Sequence, residues 1–532
     1  MIAPVRYPSD DLTPAERERL APHFTELDGP VFALVNLPET VKGALFARYS
    51  RYQGTLRRLF LDEFADSLPE GGKPWDGDEG KRAADLYERI FVGYGDDSVA
   101  QLGGAHVACE WTSNVLTKVL QRPRLGAYLE QSTRYIAYDA PMPGGGYRYY
   151  RDPELGPEYE AAMDHLFDAY AESLPIVRAW AEEAFPRAEG ESDAARARAI
   201  NAKALDLLRG LLPAASLSHM GIYATGQSYE QLILHLLGHP LPEARFYGQG
   251  ILDAIKAVMP SFVSRVERPE RGGEWIGYLE RRREAGERWA ARLGLNHPET
   301  SEDRPSVRLV HVDGDEDLLL ASLLFEAAGV SEGRTRAELA RLSVGERTQL
   351  LSDLVGDRAN RRHRPGRGFE ALRYRFEIVS DYGAFRDLQR HRMMTVQWQG
   401  LTPDLGAGIP AEVVEAGAGD LYARALQRSE ECYERLHSAG LRDAAPYALC
   451  LGFRIRYVLD LNAREAMHTI ELRSGREGHP SYRAVAHEMH AQIARHHPAV
   501  AAAMTHVDTS AEPRLERILS EIRTEQRALS RG

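Results

Sequence analysis

Four short stretches carry residues whose types and spacing could do chemistry. QRHR at 389–392 sets Arg390, His391 and Arg392 together at the end of a segment with helical periodicity. Two guanidiniums and an imidazole there could hold a phosphate or a flavin edge, and a solvated cationic helix cap would use the same residues. LNAREAMHTIELR at 461–473 opens with Asn462, a side chain suited to capping a helix that starts at Ala463. On that helix Arg464 and His468 are four apart and share a face. Arg473 lies nine residues beyond Arg464, about half a turn out of phase, so it points at the opposite wall. QRPRLGAYLEQSTRY at 121–135 holds Arg122 and then Glu130, Ser132 and Arg134 in alternation, which on a strand places all three on one face. A carboxylate, a hydroxyl and a guanidinium together could take a nucleotide's base edge, sugar and phosphate; an exposed polar strand has the same composition. RANRRHRPGR at 358–367 is strongly basic but lacks aromatic interleaving, so it reads as a solvated or locally phosphate-contacting loop. His487 and His490 in AHEMH are three apart, with no third ligand evident, and no metal site is expected.

The elements that must position these residues occur twice. QRPR and QRHR are 268 positions apart in a chain of 532. An apolar run followed by an acidic turn and a helix is expected at 32–51 and again at 307–329. Long helices are expected at 156–185 and 419–438, and a strand, a short polar break and a helix at 207–237 and 445–473. The first copy is the longer, with extra helical material near 186–208. The fold class is therefore α+β, as two copies of one helix-rich mixed α/β unit. The expected divisions are an extension at 1–30, domains at 31–265 and 306–505, a linker at 266–305 with one solvated helix at 276–293, and a helical tail at 506–532.

Composition narrows the function classes. Hydrophobic residues make up 43% of the chain, which is ample for a core, and the net charge of −12 speaks against general binding of nucleic acid. Cys109, Cys432 and Cys450 show no paired spacing, which argues against a disulfide scaffold or zinc cluster and suits a reducing, cytoplasmic setting. The N-terminal residues have no apolar core, so no signal peptide is expected. The longest apolar run, 318–330, is short and contains Glu326, so no membrane span is expected.

Together these stretches resemble the flavin-dependent thymidylate synthases, over roughly 31–265 and 306–505. That family's signature is Arg-His-Arg, seven residues, then Ser, with Glu two places before the Ser and Arg two places after it. A later Asn-Ala-Arg opens a helix that ends in Leu-Arg. In the first copy Arg122 and Arg124 flank Pro123, and Glu130, Ser132 and Arg134 match the signature. Arg209, in RGLLP, matches a nucleotide-binding arginine of the family. The Asn-Ala-Arg position there reads Thr225-Gly226-Gln227, and the helix-ending arginine falls on Leu236. In the second copy Arg390, His391, Arg392, Asn462, Arg464, His468, Arg473 and the upstream Glu370 all match. The Ser, Glu and Arg positions there hold Gly400, Trp398 and Thr402, and Pro446 stands at the nucleotide-arginine position. A family glutamine that helps hold the pyrimidine is Val119 in one copy and Asp387 in the other.

The resemblance implies reductive methylation of deoxyuridine monophosphate, with FAD as cofactor and methylenetetrahydrofolate and NADPH as co-substrates. It implies one composite site per chain. Arg122, Glu130, Ser132, Arg134 and Arg209 would serve the nucleotide, with Ser132 also placed among the catalytic residues. Glu370, Arg390, His391, Arg392, Asn462, Arg464 and His468 would hold FAD, and Arg473 would face the pyrimidine. Two chains would form a homodimer that rebuilds a pseudo-tetramer. A non-catalytic or altered-substrate flavin- or nucleotide-binding relative is the alternative.

Overall fold

The structure, a computed structural model, describes residues 10–28, 34–49, 55–67, 99–134, 136–142, 145–187, 189–295, 305–510 and 515–529. The expected strand near residue 32 and parts of the expected extension and linker lie outside these. In chain order, β1 (Gly104–Ser113) runs into α1 (Asn114–Leu120), and β2 (Gly126–Glu130) follows. Next come the long α2 (Pro157–Ala184), α3 (Asp193–Leu208), β3 (Leu217–Thr225), α4 (Gly226–Leu237), α5 (Pro242–Lys256) and α6 (Glu274–Arg292). The second half holds β4 (Ser306–Asp313), α7 (Glu316–Leu324), β5 (Arg373–Asp381), α8 (Tyr382–Leu388), β6 (Thr395–Trp398), α9 (Gly419–Ser438), β7 (Arg454–Asn462), α10 (Ala463–Arg473), α11 (Pro480–His496) and α12 (Ile518–Leu529). This is the mixed, helix-rich α+β class expected, and among the described residues no helix is long and apolar enough to cross a membrane.

The chain separates into two compact units, and their boundary crosses the sequence halves. One comprises 1–110, 119–130 and 219–296; the other comprises 111–118, 131–218 and 297–532. In the first, β2 pairs antiparallel with β3 from Gly126↔Ala224 to Glu130↔Met220, in a sheet of order β1-β3-β2. The strand stops at Glu130, which corrects the expectation that Glu130, Ser132 and Arg134 share one strand face. Beyond it the Ser132 hydroxyl accepts the Arg134 backbone N–H at 3.2 Å, so a local turn replaces the ladder. Helix α6 buries no residue, as expected of a solvated helix.

The second unit is built on an antiparallel sheet of order β4-β5-β7-β6. Tyr374, Phe376 and Ile378 of β5 and Tyr457, Leu459 and Leu461 of β7 are buried. Arg373 and Arg375 meet Asp460 on the other face, as the period of two requires. Helix α11 packs on β4 and β5, and α2 packs on α9. The 209–216 segment lies along 447–452 through backbone bonds such as Ala214 N to Leu449 O (2.7 Å) and Leu451 N to Leu212 O (2.9 Å). First-half residues are thereby built into the same body as the second half's motifs.

Strand-to-helix junctions repeat between the halves. Asn462 caps α10 by accepting from Glu465 N at 2.9 Å, as expected, and Thr225 caps α4 by accepting from Ser228 N. Asn114 N and Val115 N bond to Ser216 O and Ala214 O, and Tyr382 N and Gly383 N bond to Phe453 O and Leu451 O. The extra helical material of the first copy is α3.

Candidate active site

The second unit gathers side chains from both sequence halves into one buried polar cluster. Its centre is Asp387, near the end of α8. Burial alone would raise this carboxyl, but the guanidiniums of Arg209, Arg390, Arg473 and Arg134 outweigh it and hold Asp387 far below the usual carboxylate range. Arg209 arrives from the turn after α3 and is buried, donating from Nη1 to Asp387 Oδ2 at 3.1 Å. Its Nη2 lies 3.9 Å from Asp381 and makes no hydrogen bond. Asp381 caps α8 by accepting from Ala384 N at 2.8 Å. Position 383 is glycine because a Cβ there would sit 3.0 Å from Arg209 Nε and 3.1 Å from Nη2.

Arg134 forms a fork with Asp206 on α3, Nε to Oδ1 at 2.6 Å and Nη2 to Oδ2 at 2.5 Å. It also donates to the Tyr482 hydroxyl at 3.2 Å and to Glu477 O at 3.3 Å. Asp206 is 3% exposed, and burial favours its neutral acid; Arg134 first, then His479 and Arg517, lower it overall. His479 Nε2 lies 3.0 Å from the Asp206 carbonyl, and burial pushes this imidazole down to about 4.

Arg473, at the end of α10, lies over the same Tyr482 ring at 5.4 Å and donates from Nε to His391 Nε2 at 2.9 Å. That bond needs an unprotonated Nε2, so His391 carries its proton on Nδ1. Nδ1 faces Thr469 Oγ1 at 3.1 Å and Glu465 Oε1 at 3.4 Å. Burial first, then Arg473 and Arg364, keep His391 well below the ordinary histidine value. Among the described residues, ligand atoms of His391, Glu465 and His468 lie within 4.8 Å of one another. The His391 tautomer puts a proton on the nitrogen nearest Glu465, and Arg364 and Arg473 add positive charge there, so the arrangement is a hydrogen-bonded relay onto Arg473. His487 and His490 instead contact separate backbone oxygens, Asp508 O at 2.6 Å and Ala501 O at 3.2 Å.

The remaining sites predicted from sequence fall as follows. Arg464 donates from Nε to Pro365 O at 2.9 Å and lies 3.4 Å from Glu370, which also meets Arg367. The Asn462 side chain is spent on its cap. Arg390 and Arg392 are exposed just beyond α8, which ends at Leu388, so QRHR follows the helix. Burial lowers His468 to about 4. Arg361 and Arg364 add positive charge beside His468, and Arg364 and Arg464 beside Glu465, a setting that could take an anionic group. Glu130 and Arg122 belong to the other unit, where Glu130 accepts from Gln121 Nε2 at 2.8 Å. Sequence reasoning passed over Asp206, Tyr482, His479 and Arg517. Asp206 carried a faint signal, an acid inside the apolar run 204–208, three residues before Arg209. Of the basic loop, Arg358 is not solvated: it pairs with Glu471 through two 2.6 Å contacts.

With this geometry in view, the comparisons are informative. The profile of the thymidylate synthase complementing protein family matches residues 57–261 and 321–499. The chain belongs to that family. A UPF0159 protein of Chlamydia muridarum is 37% identical over 96% of this chain and 98% of its own length. One from Thermoplasma acidophilum is 32% identical over 92% of this chain and 99% of its own. A solved UMP/dUMP methylase from Streptomyces cacaoi bound with 5-Br dUMP shares 22% identity, over 39% of this chain and 96% of that one, with a TM-score of 0.31. That likeness is too distant to bear on function.

Proposed function

We propose that the chain is a flavin-dependent thymidylate synthase that methylates deoxyuridine monophosphate at one composite site. The observation that carries this reading is the meeting of first-half Arg134 and Arg209 with second-half His391 and Arg473 around Asp387 and Tyr482. Four guanidiniums (Arg134, Arg209, Arg473, Arg517) face three carboxylates (Asp206, Asp381, Asp387), with Arg390 beside Asp387, and the net positive charge suits an anionic phosphate. Arg134 and Arg209 would bind that phosphate, and Ser132 would orient the nucleotide. Arg473 would face the uracil N3–O4 edge and stabilise negative charge as C5 becomes nucleophilic, with neutral His391 fixing the guanidinium. Arg390, Arg392, Arg464 and His468 would hold FAD, which would supply the reducing equivalents, with NADPH to restore it and methylenetetrahydrofolate as one-carbon donor. No cysteine need act: burial pushes the Cys109 and Cys450 thiols up to about 12.

A duplicated ancestral unit, each copy keeping one half-site, accounts for the way the matches are sorted. Two chains would then form a homodimer with pseudo-tetrameric character, testable by sedimentation. The pairing of Arg209 with Asp387, where the family has an amide, favours a second reading: an altered-substrate or non-catalytic relative that binds flavin or nucleotide. Visible absorption during titration with FAD and then deoxyuridine monophosphate, followed by tritium release from 5-tritiated nucleotide, separates the two. One flavin per chain with tritium release supports the enzyme. Flavin binding with no release under any reductant rejects it.

A further inference from the structure

The C-terminal segment 515–529 is fastened to α3 on both sides of one arginine. Before it, Leu515 is 5% exposed and packs with Ala181, Phe185, Ala199 and Ile200, and Glu516 accepts from buried Lys203 Nζ at 2.7 Å. After it, α12 returns to α3 through Arg198, which pairs with Glu521 at 2.7 Å and with Glu525 at 2.5 Å. Ser192 adds a 2.6 Å bond to Glu525. Ala199, Lys203 and Asp206 are four and three residues apart, so the stripe of α3 that receives the tail ends at Asp206. Arg517, 7% exposed, is thereby held with Nη2 3.7 Å from Asp206 Oδ2 and Nη1 donating to Arg134 O at 3.4 Å.

Asp206 thus has one guanidinium in full contact and a second in reserve, both approaching Oδ2. The arrangement matters once an anion enters. Arg134 holds Asp206 with its Nε/Nη2 fork and can turn that fork to a phosphate only by releasing the carboxylate. A carboxylate 3% exposed, left without a cation, is strongly destabilised. That cost would weaken the binding of any anion that took the fork.

We infer that Arg517, on the C-terminal tail, is a positioning residue that takes over Asp206 when Arg134 turns to the ligand's phosphate. The inference rests on the proposed nucleotide site and adds a tail residue to it. It applies to any ligand with a dianionic phosphate group and is indifferent to the base. Arg517 never touches the ligand; it sets how easily Arg134 can. Lysine at 517 keeps the charge but loses the fork, so Arg517→Lys keeps part of the effect.

The test is calorimetric binding of deoxyuridine monophosphate, deoxyuridine and inorganic phosphate to the full chain and to Arg517→Gln, Arg517→Lys and Arg517→Gln/Asp206→Asn. Arg517→Gln is expected to weaken nucleotide binding about tenfold or more, the penalty of stranding Asp206. Deoxyuridine and FAD affinities should stay within a factor of two or so. Arg517→Lys should fall between. The double variant should recover most of the affinity, because an amide at 206 no longer needs a cation. Equal losses for nucleotide and nucleoside, or no recovery in the double variant, would mean that Arg517 merely holds the tail in place, and would overturn the inference. Wild-type binding of phosphate but not nucleotide, lost in Arg517→Gln, would reject the nucleotide reading and leave the role of the tail standing. Binding of neither anion by the wild type would reject both.

Discussion

Replacing Glu471 by alanine isolates what holds α10, and with it Arg464, His468 and Arg473, in place. Glu471 is fully buried, and its partner Arg358 is 3% exposed. Arg358 reaches Oε1 and Oε2 at 2.6 Å each and also donates to Ala503 O at 3.0 Å and His363 O at 2.6 Å. The two backbone acceptors remain in Glu471→Ala, but they carry no net charge. A guanidinium this deep, stripped of its carboxylate, destabilises the fold by about 3–5 kcal/mol. The shape-preserving Glu471→Gln should lose most of that, because its amide nitrogen faces a donor. Arg358→Met combined with Glu471→Leu should lie within about 1 kcal/mol of wild type or above it, since neither charge remains to be buried. A single unfolding midpoint is a poor readout for a chain of two compact units. Native-state hydrogen exchange at α10 amides reports the opening free energy of that helix directly. Protection in Glu471→Ala within about 0.5 kcal/mol of wild type, the range of ordinary surface substitutions, would refute the reasoning.

Arg473→Ala should abolish tritium release while FAD still binds; full turnover in that variant would remove Arg473 from the chemistry. Gly383→Ala presses a methyl against Arg209 and Asp381 and should destabilise the protein by about 1–3 kcal/mol and weaken nucleotide binding; unchanged affinity and unchanged hydrogen-exchange protection of α8 would show that the cradle can relax. His479 is buried with a folded value of about 4, below its unfolded value of about 6.5, so the unfolded chain takes up the proton first. Its contribution, up to about 3 kcal/mol, is complete above pH 6.5 and is lost as pH falls toward 4; an opening free energy of α11, from native-state hydrogen exchange, that is unchanged between pH 7 and pH 4.5, or equally pH-dependent in His479→Gln, would contradict this.

The periodic elements were legible in the sequence because their causes are local. The strand, cap and helix at 454–473 needed only an apolar run, an asparagine and a 3.6-residue period, and they form as read. The extra helix α3 followed from a length difference between the halves. The Glu130-Ser132-Arg134 face was misjudged because alternation cannot reveal where a partner strand ends; the ladder stops opposite Met220, and a serine hydroxyl takes over. The basic loop at 358–367 was misjudged because charge counts are blind to a single buried carboxylate 113 residues away. Convergence of Arg134 and Arg209 with Arg473 in one unit was legible only as an inference from complementary losses, since it depends on how 209–216 lies along 447–452.

That convergence also changes what Asp387 means. Read along the sequence, an aspartate in place of the family's amide is a defect, and Arg209 is an independent match that survives in the other half. In the structure they form one pair at 3.1 Å, and Gly383 leaves the space the arginine occupies. An aspartate at 387 without Arg209 would be a buried carboxylate with fewer cations near it, and Arg209 without Asp387 would crowd Arg390 and Arg473 with like charge. The two positions therefore constrain each other. Asp387→Gln alone should damage the cluster even though it restores the family's residue, with the nucleotide-bound state gaining only if the freed Arg209 turns to the phosphate. Measuring that variant's affinity for nucleotide against nucleoside decides the matter. A selective gain for the nucleotide would mean that Asp387 holds Arg209 back from the phosphate. A loss for both would mean that the aspartate is what keeps the arginine in place.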